Sequence, residues 1–238
     1  MTKPLALIVF LAVAGGALAA DGVPGFVLMA LDSPPPVDTF YASYAEAGLN
    51  TITVGPGEGL EEALDLASTH RLSVLLGNLD AVKGSAPACV ALAERYEGIA
   101  GWLVGSSVTK QDIETDAGRV QVLKRLSPQR VALAFVDAAE TDAPLVTEQL
   151  LEAGLTAFGL RALTMRRDGT WNTGLYYRQL ECGRKLAKAH GARWVGFVQV
   201  TEEADYRFAS ESDLRIQVYS HLAFGAKGLA YHRYWLPI

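Results

Sequence analysis

Short apolar, β-branched runs alternate along this chain with stretches whose apolar residues recur every three or four positions. The runs Gly25 to Ala30, Thr51 to Val54, Leu72 to Leu76 and Ile99 to Val104 read as strands. So do Val131 to Val136, Thr156 to Leu160, Trp194 to Val200 and Gly228 to Tyr234. Between them the 3.6-residue period predicts helices over 37–47, 60–70, 86–96, 109–126, 144–153, 174–190 and 210–224. The last of these has the clearest punctuation. Ser210 with Asp213 three residues on forms a capping-box pattern, and Leu214, Val218 and Leu222 line one face. Gly225 follows as a C-cap.

Strands such as VALAFV and WVGFVQV are continuously apolar, which suits a parallel sheet buried on both faces. Eight such strands alternating with helices predict an α/β fold, a (β/α)8 TIM barrel. The alternative, a doubly wound open sheet, is disfavoured because no Gly-x-Gly-x-x-Gly turn follows the first strand. The barrel lacks its last helix, since the chain stops at Ile238 just past the eighth strand. Two readings follow: closure by other means, or a C-terminally truncated piece of something longer.

The first residues have a different pattern. Lys3 precedes an apolar run from Leu5 to Ala14, and Ala17-Leu18-Ala19 supplies a small-x-small cleavage site. Residues 1–19 are expected to be a signal peptide, leaving 20–238 as one secreted or periplasmic barrel domain with no membrane association after cleavage. An uncleaved anchor helix is the alternative, although Gly15-Gly16 cut the run short for a span.

Composition narrows the classes. Of 238 residues, 50% are hydrophobic and 20% charged, which excludes a disordered chain. The net charge of -5 with no basic run argues against a nucleic-acid partner. Cys89 and Cys182 fall on helices far apart around the predicted barrel, so free thiols are expected. The four histidines show no metal-ligand spacing, and neither metal nor cofactor is expected.

In barrels the chemistry sits at the C-terminal ends of the strands. There the sequence places Asp32, Glu58, Asn78, Asp80, Ser106-Ser107, Asp137, Arg161, Gln199, Glu202-Glu203, His232, Tyr234 and Trp235. That acidic and aromatic rim suits a sugar. Carboxylates accept from hydroxyls, and aromatic faces stack on pyranose rings.

The stretch from Ser210 to Trp235 resembles the last third of barrel glycoside hydrolases related to clan A, including β-galactosidase-like members. Tyr44 to Ile52 is similar to their early helix-to-strand passage, and Tyr96 to Gly105 to their fourth strand. The resemblance implies a glycoside hydrolase acting on an oligosaccharide or polysaccharide. It places Glu203 as nucleophile with Glu202 behind it. Asp137 or Asp80 would stand in as the acid, and Asp32, Asn78, Asp80, Gln199, His232, Tyr234 and Trp235 would hold the sugar. One departure is sharp. Ser106-Ser107 stands where the family carries its general acid, and a hydroxyl cannot replace a carboxylic acid in that step. A catalytically silent carbohydrate-binding barrel is therefore the second reading, and a truncated enzyme fragment the third.

Overall fold

In a computed structural model, the structure describes residues 25–31, 34–55, 57, 59–77, 86–138, 142–202 and 204–232. Nine strands and seven helices alternate among them. They are β1 (Val27–Ala30), α1 (Asp38–Glu46), β2 (Thr51–Val54), α2 (Leu60–Thr69), β3 (Ser73–Leu76) and α3 (Ala86–Arg95). Next come β4 (Ile99–Val108), α4 (Ile113–Leu126), β5 (Val131–Asp137), α5 (Ala143–Glu152), β6 (Ala157–Arg161) and α6 (Thr173–His190). The order ends with β7 (Arg193–Trp194), β8 (Gly196–Gln199), α7 (Glu211–Ala223) and β9 (Gly228–His232).

All strand pairings are parallel, in the order β7-β6-β5-β4-β3-β2-β1-β9-β8. The two ends of that order, β7 and β8, are halves of one chain segment that changes partner at Val195. Residues 193–194 pair with β6, and 196–199 pair with β9. The sheet thus closes on itself as the expected barrel, with the seventh strand divided. Two smaller differences from the sequence reading occur at β4 and α4. The strand runs on to Val108, and the helix begins only at Ile113.

Strand parity sorts the apolar residues into two layers. Met29, Leu75, Leu103, Leu133, Phe135 and Phe197 fill the barrel interior. Tyr41, Tyr44, Trp102, Phe158 and Trp194 lie in the larger layer between strands and helices. This is why the strands read as unbroken apolar runs: both of their faces are covered.

The final helix follows its sequence signals. Ser210 Oγ accepts from the Asp213 amide, while the Asp213 carboxylate accepts from the Ser210 amide. Asp213 is further held by Arg207, whose two terminal nitrogens donate to both carboxylate oxygens at 2.6 and 3.2 Å. No described helix follows β9. The outer faces of β1 and β9 are instead covered in part by α7, where Val218 packs with Leu229 and, at the margin, Leu28, Leu222 and Tyr231. Cys89 and Cys182 are free thiols. No described helix is long and apolar enough to cross a membrane.

Candidate active site at the barrel mouth

Parallel pairing brings the last residues of neighbouring strands together at one end of the barrel. Asp137 ends β5 opposite Arg161, which ends β6, and Gln199 ends β8 opposite His232, which ends β9. Ser107 lies one residue before the end of β4. Ser107, Asp137 and Arg161 form a connected triangle. Arg161 Nη1 donates to Ser107 Oγ at 3.0 Å, Ser107 Oγ donates to Asp137 Oδ2 at 3.4 Å, and Nη1 lies 4.0 Å from Oδ2. The Asp137 and Arg161 side chains keep 29% and 19% of their surface exposed, so solutes reach both.

An aromatic floor lies below. The Arg161 guanidinium carbon is 6.0 Å from the centroid of the Phe197 ring, and the His232 ring lies 5.2 Å from the same ring. Phe197 in turn meets Phe135 edge-on at 6.2 Å in the barrel interior. A guanidinium beside a carboxylate over a dry aromatic floor is suited to gripping a planar anion. Its fork of N–H groups matches a carboxylate or phosphate, and the buried ring weakens competition from water.

Gln199 is not available to a ligand. It is fully buried, and its Oε1 accepts from the amides of Thr164 and Met165 at 3.1 and 3.3 Å. Its Nε2 donates to the carbonyls of Met165 and Arg207 at 3.4 and 2.9 Å. One side chain therefore ties together the loop after β6 and the loop after β8. The same two loops pair directly, through an Arg166–Tyr206 bridge and an Arg167 amide donating to the Asp205 carbonyl at 2.8 Å. Gln199 is a clamp that holds one wall of the mouth.

The other sequence-predicted positions divide plainly. Asp137 and His232 stand at the strand ends that form the mouth. Glu202 is exposed and ion-pairs with Arg167 on the outer rim. Glu203, Asp32, Asn78, Asp80, Tyr234 and Trp235 lie outside the described residues. Sequence reasoning placed Arg161 and Ser107 at strand ends but assigned them no role. Strand parity is the signal that points Arg161 inward alongside Asp137, whereas Ser107 lies on an irregular stretch of β4 that parity does not describe. No group of three or more His, Cys, Asp or Glu suited to a metal occurs among the described residues.

No family model matches the chain, and no curated protein matches it. Solved structures do. An HpcH/HpaI aldolase from Desulfitobacterium hafniense superposes with a TM-score of 0.54 at 14% identity, over 87% of this chain and 86% of that one. The YdjI aldolase from Escherichia coli K12 gives 0.51 at 12%, over 88% and 76%. A glycerol uptake operon antiterminator regulatory protein from Listeria monocytogenes gives 0.54 at 11%, over 86% and 91%. At these identities the likeness establishes the barrel fold.

These neighbours correct the expected resemblance. The solved barrels compared here include aldolases and a regulatory protein and no clan A glycoside hydrolase, so the reading as a hydrolase or silent carbohydrate binder falls with it. The physical reason lies in what carried the resemblance. Ser210 and Asp213 cap α7, and Gln217 and His221 are buried behind β8. These residues cap and pack a helix of the barrel. Nor do the described residues supply the two flanking carboxylates that glycoside hydrolysis uses. Asp137 faces a hydroxyl and a guanidinium, and Glu202 faces Arg167 outside.

Proposed function

We propose that the barrel mouth binds a small carbonyl compound bearing a carboxylate or phosphate and catalyses aldolase-type chemistry on it. The Ser107–Asp137–Arg161 triangle at the ends of three consecutive strands carries this reading. Its place at the C-terminal end of the strands supports it, because barrel enzymes work there. The aldolase neighbours add support at the level of fold.

In this reading Arg161 grips the anionic group and faces the adjacent carbonyl oxygen. The Asp137 carboxylate takes a proton from the carbon beside that carbonyl. The C–H electron pair moves into a carbon–carbon double bond, and the carbonyl oxygen becomes an enolate that the guanidinium stabilises. Attack of the enolate carbon on an aldehyde then forms the new bond, and the aldehyde oxygen takes up a proton. Cleavage runs the same steps in reverse. Ser107 orients the Asp137 carboxylate between turnovers.

The test is enolisation of pyruvate in D2O, followed by loss of its methyl proton signal in NMR. The native chain is expected to accelerate the exchange, and Asp137→Asn to abolish the acceleration without a change in melting temperature. Binding without exchange would reassign the mouth to ligand sensing. Neither binding nor exchange, with pyruvate and with phosphorylated aldehydes, would overturn the reading.

A further inference from the structure

The end of β4 is irregular in a way that the site depends on. Leu103 pairs with Leu133, Gly105 with Ala134, and Val108 with Val136, so the register slips twice within six residues. Between Gly105 and Val108 the strand spends three steps where β5 spends two. Such a bulge bends the strand and re-aims its side chains. Here it turns Ser107 toward Asp137 and Arg161.

A bulge also disrupts the local ladder, and α4 supports the displaced segment. Arg119 Nη1 donates to the Val104 carbonyl at 3.4 Å and pairs with the Asp116 carboxylate one helical turn back. Asp116 is buried and Arg119 half-buried, with 9% and 16% of their side-chain surface exposed. The Asp116 carboxylate lies against Gly105, where a Cβ would approach Oδ2 to 3.5 Å and collide with Val108 Cγ2 at 2.5 Å. A cavity of about 340 Å³ borders the whole bulged stretch from Val104 to Val108 together with Asp116 and Arg119, so the segment is not packed in place on that side.

We infer that the buried Asp116–Arg119 pair is a positioning device: it fixes the β4 bulge and thereby holds Ser107 in the mouth. Burying an ion pair offers little net stability compared with apolar residues of similar volume. Its use here is geometric. Arg119 reaches the Val104 carbonyl and the Asp116 carboxylate lies against Gly105, so both act on the backbone that leads to Ser107. The inference rests on the mouth being an anion site, but it has a readout that does not.

Removing one partner alone would leave the other's charge in a largely enclosed place and cost stability, so the informative variant replaces both. Asp116→Leu with Arg119→Met keeps an apolar filling. The expected result is a melting temperature within a few degrees of native, with amide exchange at Gly105 to Val108 at least tenfold faster. Affinity for inorganic phosphate or pyruvate falls at least fivefold. Arg119→Lys, which keeps the charge and one donor, is expected to retain most of both. Native-like exchange and affinity in the double variant would overturn the inference. If the native chain binds neither anion, the proposed function fails, whereas the exchange comparison still decides the role of the pair.

Discussion

Gln217 Oε1 accepts from the backbone amide of Gln199 at 2.8 Å, and Gln217 Nε2 donates to the Gln199 carbonyl at 3.1 Å. One side-chain amide thus does for β8 what a neighbouring strand would do. In a parallel ladder the N–H and C=O of one residue point to the same side, and both of Gln199's turn toward α7. The divided seventh strand creates this need, because β6 pairs with it only through Arg193 and Trp194. A glutamine whose own backbone is served by a second glutamine is a rigid corner of the mouth.

Replacing Gln199 should therefore cost stability first. Gln199→Ala leaves the amides of Thr164 and Met165 and the Arg207 carbonyl without their partner. A loss of roughly 2–4 kcal/mol is expected, at about 1 kcal/mol or more per buried group left unsatisfied. Gln199→Glu should be as harmful, because a carboxylate cannot donate to two carbonyls. Urea denaturation measures both, and native stability in either variant would refute the clamp.

Arg161→Lys retains the charge but loses the planar fork. Affinity for a small carboxylate or phosphate is expected to fall about tenfold, or roughly 1.4 kcal/mol, with little change in melting temperature. Calorimetric titration of pyruvate and phosphate against both proteins checks this. Equal affinities would place the anion elsewhere.

His221 gives the chain an acid-side weakness. It is buried behind β8, where desolvation holds its imidazole down at about 4, although the Gln217 carbonyl bonded to Nδ1 at 2.7 Å pulls the other way. The folded protein therefore holds the neutral form, while the unfolded chain takes up a proton near 6.5. The stability contributed is complete above pH 6.5 and is lost as pH falls toward 4, on the order of 3 kcal/mol. His221→Leu should flatten this part of the stability–pH curve. An unchanged curve would contradict the assignment.

Asp213 produces a separate loss at lower pH. Burial opposes its ionisation, but the Arg207 guanidinium and the Ser210 hydroxyl and amide outweigh it and leave the carboxyl at about 2. Its contribution is present above 3.8 and is lost as pH falls toward 2. Ser210→Ala removes the helix cap and should cost about 1 kcal/mol at neutral pH. It should also narrow the Asp213 window in an acid titration followed by circular dichroism.

Gly196 has no room for a side chain, since a Cβ there would meet the His221 ring at 2.4 and 2.5 Å and its Cβ at 2.8 Å. Gly196→Ala is expected to push the ring off β8 and destabilise the fold by about 1–3 kcal/mol. The double variant Gly196→Ala with His221→Ala should recover part of that loss. Additive effects in a thermal melt would show that the two positions are not in contact.

The architecture is legible in the amino-acid pattern. The alternation of apolar runs with 3.6-period stretches placed all seven helices and, apart from the break at Val195, every strand of the barrel. The Ser210–Asp213 box and its apolar face formed as read. These are local properties, carried by residues a few positions apart. Strand parity likewise put Asp137 and His232 at the mouth. What the mouth contains follows from contacts that form when the barrel folds. Gln199 ends β8 and Glu202 follows three residues on, yet one is buried in backbone contacts and the other faces solvent. Arg161 meets Ser107 across 54 positions of sequence. That meeting depends on a two-step slip in the β4–β5 register and on an ion pair from a helix outside the barrel. No period in a sequence encodes such a slip, because it arises from competition between ladder bonds and packing that exists only once the barrel has closed.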